Sequence, residues 1–154
     1  MDDRAVSPVV GVVLVVALTV LLAATVGTMA LGTESPARGT TVRLSASADA
    51  SSDTVSLTHE GGDAIDVSTL DVAITIDGTA LDHQPPVPFF AATGFVSGPT
   101  GPFNSATTDA WTAGEAATLE LATTNDPLIA DGATVTVTLS KGNSVLARLE
   151  TTAE

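Results

Sequence analysis

The chain has 154 residues, a net charge of -13 and no cysteine. The charge argues against binding nucleic acid or anionic lipid through phosphate contacts. The missing cysteine excludes disulfides, thiolate metal sites and a cysteine nucleophile. Eighteen acidic residues stand against five basic ones, with Lys141 the single lysine and Ala, Gly, Thr and Ser abundant. That balance suits a halophile, because at 1 M salt screening shortens to about 3 Å and an acidic surface tolerates its own charge.

In chain order, residues 1–5 form a short charged leader, with Asp2, Asp3 and Arg4 before Ala5. From Ala5 to Thr33 no side chain is charged. About 20 apolar residues cross a bilayer core, whereas a cleaved secretory h-region runs about 7–15. The stretch therefore spans, and in lipid a single pass must be helical to satisfy its own backbone. The predicted helix covers residues 6–32, with Ser7 as N-cap and Pro8 in the first turn, where a missing N–H is harmless. From Pro8 to Leu31 it extends about 36 Å at 1.5 Å per residue. It is apolar on every side, so it is not an amphipathic surface helix. Its core positions include Val9, Val10, Gly11, Leu14, Leu18, Leu21 and Leu22. Gly11, Ala17, Ala23, Ala24 and Gly27 leave notches for close helix approach. Arg4 places the N-terminus inside and the remainder outside.

Residues 33–40 read as a linker, and 41–154 as an acidic head long enough for one core. Period-2 alternation marks strands around Val42–Ala46, Val55–Leu57, Leu70–Ile76, Leu119–Leu121, Val135–Leu139 and Val145–Leu149. Turn residues separate them at Gly61-Gly62-Asp63, Asp77-Gly78, Asp131-Gly132 and Lys141-Gly142-Asn143. About six or seven short strands without a helical stretch predict an antiparallel, immunoglobulin-like β-sandwich on a hydrophobic helical stalk. The fold class is thus mainly β with one long N-terminal α-helix.

Asp82 to Asn104 reads as irregular: it holds Pro85, Pro86, Pro88, Pro99 and Pro102 and all 4 phenylalanines. Phe89, Phe90 and Trp111 suit either a subunit contact or the core of this small head. His59, Glu60, Asp63 and Asp66 are weak metal candidates, since carboxylates suit calcium. They match no EF-hand spacing, and solvated acids around a glycine turn are the plainer reading. No Gly-x-Ser-x-Gly elbow occurs, and His59 and His83 are the only histidines, so no catalytic residue and no cofactor is predicted. Asn104, Asn125 and Asn143 all fall outside N-x-Ser/Thr acceptors.

The segment DRAVSPVVGVVLVVALTVLLAATVGTMALG, with Val6-Ser7-Pro8-Val9-Val10-Gly11 after a tiny charged leader, closely resembles the N-terminus of archaeal, especially haloarchaeal, type IV pilins. LTHEGGDAIDVSTLDVAI and WTAGE resemble segments of heads in the same family. The resemblance implies a membrane-inserted precursor, cut by a prepilin peptidase after Ala5, with Val6 as the new N-terminus; cutting after Arg4 is the alternative. The processed subunit would then join other pilin subunits through the pilus assembly machinery, giving an adhesive surface filament. Bacterial members usually carry glutamate at the fifth mature position, where this chain has Val10, a departure that archaeal members often share. The rival expectation is a permanently anchored single-pass protein with an extracellular β-sandwich binding module.

Overall fold

The computed structural model of the chain describes residues 6–31 and 39–154, with side chains described for 8–26 and 39–154. The leader 1–5, including Arg4 and Ala5, and nearly all of the linker 33–40 lie outside the described residues. The chain divides into two units, after Gly39.

The first unit holds one helix, α1, Val6–Leu31, of 26 residues. It begins one residue before Ser7, so that serine sits inside the first turn rather than at the cap. Pro8 explains why this is tolerated, because its absent N–H falls where the helix has no intrahelical acceptor to offer. Among the described side chains of α1, two are polar, and both turn back onto the helix. Thr19 Oγ1 donates to the Val15 carbonyl at 2.6 Å and lies 2.9 Å from that of Val16. Thr25 Oγ1 donates to the Leu22 carbonyl at 2.9 Å. Such self-satisfaction is what a hydrocarbon solvent demands of a hydroxyl.

The second unit contains nine strands: β1 Val42–Asp49, β2 Thr54–Gly62, β3 Ile65–Asp66, β4 Asp71–Ile76, β5 Thr79–Ala80, β6 Ala110–Trp111, β7 Ala116–Glu120, β8 Thr134–Lys141 and β9 Ser144–Thr152. They form sheets ordered β1-β2-β7 and β5-β4-β8-β9, plus the small pair β3-β6, all antiparallel. The two larger sheets have an immunoglobulin-like order. Every predicted strand has a counterpart, and β3, β5 and β6 are additions of two residues each.

Alternation explains the core. Val55, Leu57, Ala117 and Leu119 face inward from one sheet, and Val72, Ile74, Ile76, Val135, Val137 and Leu139 from the other. Each buried valine, leucine or isoleucine among them contributes about 1.5–3 kcal/mol relative to exposure. The β4–β5 hairpin turns on Asp77 and Gly78, both at positive φ (49° and 80°), as a tight two-residue turn of right-handed strands requires. The predicted turn at Gly61-Gly62 is displaced: both glycines pair within β2, against Arg43 and Val42. Gly62 is needed there, because a Cβ would stand 2.1 Å from the Thr41 carbonyl oxygen.

The proline-rich segment 82–104 is not a free loop. Phe89, Phe95 and Phe103 are buried in the core. Its backbone runs along the outer edge of β7, with Val96 N–H donating to Glu120 O and Thr100 N–H to Thr118 O, both at 2.9 Å. The segment thereby covers an edge strand that would otherwise offer unpaired backbone groups.

Candidate functional site

The surface of α1 is the first feature that calls for a function. Val9, Val10, Leu14, Leu18, Leu21 and Leu22 are exposed, as are Val12, Val13, Val15, Val16, Val20 and Val26 between them. Since these positions point around the whole helix, no face is left for water. The 19 residues Pro8–Val26 are long and apolar enough to cross a membrane. Exposed apolar surface on this scale is driven out of water into lipid or against other helices. At Gly11 a Cβ would meet nothing within 4 Å, so the helix presents bare backbone there. Val6, the expected new N-terminus, is the first of the described residues and is helical.

The metal candidates of the head are placed apart by strand geometry. His59 and Glu60 are adjacent in β2, so their side chains leave opposite faces. His59 is fully buried: its Nε2 lies 3.0 Å from the Asp63 carbonyl oxygen, and its ring meets Trp111 edge-on at 5.9 Å. Contact with a carbonyl makes Nε2 the protonated nitrogen, and Nδ1 is buried without a hydrogen-bond partner. Glu60 is exposed and accepts from Ser45 Oγ at 2.7 Å. Asp63 accepts from Thr41 N–H at 2.9 Å, and Asp66 accepts from Ser68 N–H at 3.0 Å and Ser68 Oγ at 2.6 Å. Each acid is thus committed to a local backbone or hydroxyl partner. Among the described residues no group of three or more His, Asp or Glu side chains could hold a metal ion.

The structure instead joins two segments that the sequence left separate. The THEGGD stretch and the WTAGE turn interlock: His59 N–H donates to Glu115 O at 2.9 Å, Gly114 N–H to His59 O at 2.7 Å, and Trp111 Nε1–H to Glu115 O at 3.0 Å. Ile65 pairs with Trp111 and Asp66 with Ala110. Inside the turn, the Glu115 carboxylate accepts from Thr112 N–H at 2.7 Å and Thr112 Oγ1 at 2.8 Å. The Thr112 backbone bond, then its hydroxyl, hold the Glu115 carboxyl below its ordinary pKa, with a smaller contribution from His59. The Ser68 hydroxyl does the same first for Asp66, followed by its backbone N–H and Lys141. No local periodicity could have revealed this pairing; the joint resemblance of the two segments to one kind of head was the available signal.

The aromatic trio divides. Trp111 and Phe89 are core residues, whereas Phe90 is 59% exposed.

Against this geometry, residues 4–44 match the family described as archaeal type IV pilin, N-terminal. An uncharacterized protein of Archaeoglobus fulgidus is 41% identical over 76 residues, covering 48% of this chain and 54% of that protein. The chain thus spans about half the length of the curated relative it matches. The match and the apolar helix support a pilin-like, membrane-anchored subunit.

Proposed function

We propose that the chain is a structural subunit of an archaeal type IV pilus, inserted as a precursor, cut by prepilin peptidase after Ala5 and assembled with other pilin subunits into a surface filament that serves adhesion. The observation that carries this reading is the helix exposed and apolar on all sides, within the segment that matches the pilin N-terminus. A helix without a polar face is as stable in a bundle of its own kind as among acyl chains, because both remove it from water. Once the leader is gone, little charge holds its end at the inner membrane face. Repeated heterologous contacts then give an open helical filament rather than a closed ring. The role is structural rather than catalytic. The acidic, lysine-poor head suits a salt-rich exterior.

Intact-mass measurement of the chain from a peptidase-competent archaeal cell tests the reading. The expected N-terminus is Val6, or Ala5 if cutting follows Arg4. A chain that keeps Met1 at the cell surface would overturn it in favour of a permanent anchor carrying a β-sandwich binding module.

A further inference from the structure

Strand β4 has one finished edge and one unfinished edge. Toward β8 it pairs along its whole length, from Asp71 with Ser140 to Ile76 with Val135. Toward β5 only Thr75 and Ile76 pair. The next outward groups belong to Ile74, and a side chain satisfies them. Ile74 N–H donates to Gln84 Oε1 at 2.7 Å, and Gln84 Nε2 donates to Ile74 O at 3.0 Å. The primary amide of Gln84 thus takes the place of a peptide group on a neighbouring strand. In an antiparallel ladder the backbone groups of alternate residues point the same way, so Val72 N–H and C=O face this side too. They have no hydrogen-bond partner among the described residues, although Val72 is only 5% exposed. Backbone groups so little exposed are almost always paired, which makes this donor and acceptor an open demand for a partner.

The unfinished edge lines an open cleft of about 600 Å³, shared with the segment from Gln84 to Val87. Pro85 and Pro86 lack an N–H and supply no donor to the edge. Val87 N–H is turned back onto Pro85 O at 3.0 Å. Asp71 also lines the cleft and is exposed, and its carboxylate has no hydrogen-bond partner among the described residues. No lysine or arginine lines the cleft.

We propose that this cleft binds a short extended peptide segment bearing a cation, which adds a strand beside β4. The chemistry of the edge selects the occupant. A donor and an acceptor in strand register call for a peptide backbone, the mode of recognition by strand addition. The Gln84 amide on Ile74 displays the group that this edge accepts. The unpartnered Asp71 carboxylate selects a lysine or arginine opposite it, since cross-strand neighbours lie within reach of each other. From Asp71 to Ile74 the edge extends about 13 Å at 3.3 Å per residue, so only a few residues of the partner can pair. The cleft belongs wholly to the head, and the proposal does not depend on the pilin reading.

The test uses the full chain, isotope-labelled and in detergent. The probe is a capped hexapeptide of alternating threonine and valine with one lysine. The Val72 amide signal should shift saturably with up to about 5 mM probe. Hydrogen exchange at Val72 should slow about tenfold at saturation. A hexapeptide with proline at alternate positions lacks the donors and should bind about tenfold more weakly or worse. Asp71→Lys changes an exposed side chain and should reverse the preference, from the lysine probe to one carrying glutamate. No saturable shift at Val72, or equal binding of the proline peptide, overturns the proposal. An unchanged preference in Asp71→Lys overturns the choice of a cationic occupant.

Discussion

His59 is held by shape more than by polar satisfaction. Its Nδ1 is buried and unpaired, a loss of about 1–3 kcal/mol that packing must offset. Trp111 supplies much of that packing, lying edge-on to both His59 and Phe103. Trp111→Ala should therefore destabilise the head by about 3–5 kcal/mol, whereas Phe90→Ala at an exposed position should stay within about 0.5 kcal/mol. Urea unfolding of the two variants, followed by far-UV circular dichroism, checks the contrast; equal effects would refute the division of the aromatics into core and surface. Protonation acts at the same scale. Asp49, Asp66 and Glu115 have lowered pKa values, chiefly through Ser51, Ser68 and Thr112 respectively. A lowered folded pKa means that the unfolded chain binds more protons in acid. The stability that these groups contribute is thus complete above their unfolded pKa and is lost as pH falls through the carboxylate range toward the folded values. Glu115→Gln should flatten the acid limb of the stability–pH curve and leave its shape above pH about 6 unchanged.

At the scale of elements, the apolar helix makes the sharpest demand on its surroundings. Leu18 lies mid-span and is exposed. Leu18→Arg should cost about 2.5–3.5 kcal/mol of insertion, so the membrane-integrated fraction should fall markedly in carbonate extraction. Unchanged integration would show that α1 does not meet hydrocarbon at that depth. This helix was readable from sequence because composition alone defines it. The longer strands were readable for a different reason: Val135, Val137 and Leu139 must alternate with threonines when one face is buried. Strands β3, β5 and β6 were not, since two residues carry no period. The 82–104 segment reads as loop because it covers the β7 edge through scattered backbone bonds and single phenylalanines. The meeting of His59 with Trp111 and Glu115 was illegible for a related reason. It depends on pairing between segments far apart in the chain, and a strand edge gives no local sign of its partner.

For the whole molecule, charge is the dominant long-range quantity. The chain carries -13, and no lysine or arginine among the described residues forms an ion pair within 4.0 Å. Net self-repulsion therefore works against the compact head, and little specific attraction is present for salt to weaken. Raising ionic strength from about 0.05 M to 0.5 M shortens the screening length from about 14 Å to about 4 Å, which removes repulsion between carboxylates on different loops. The Tm of the full chain in detergent should accordingly rise with sodium chloride, by several degrees if screening recovers about 1 kcal/mol. Potassium chloride should give the same curve, because screening depends on ionic strength and not on which cation supplies it. A rise seen with only one of the two salts would point to a bound ion instead. A fall in Tm would show that attractions outside the acidic surface dominate, and would remove the physical basis for reading this composition as an adaptation to salt.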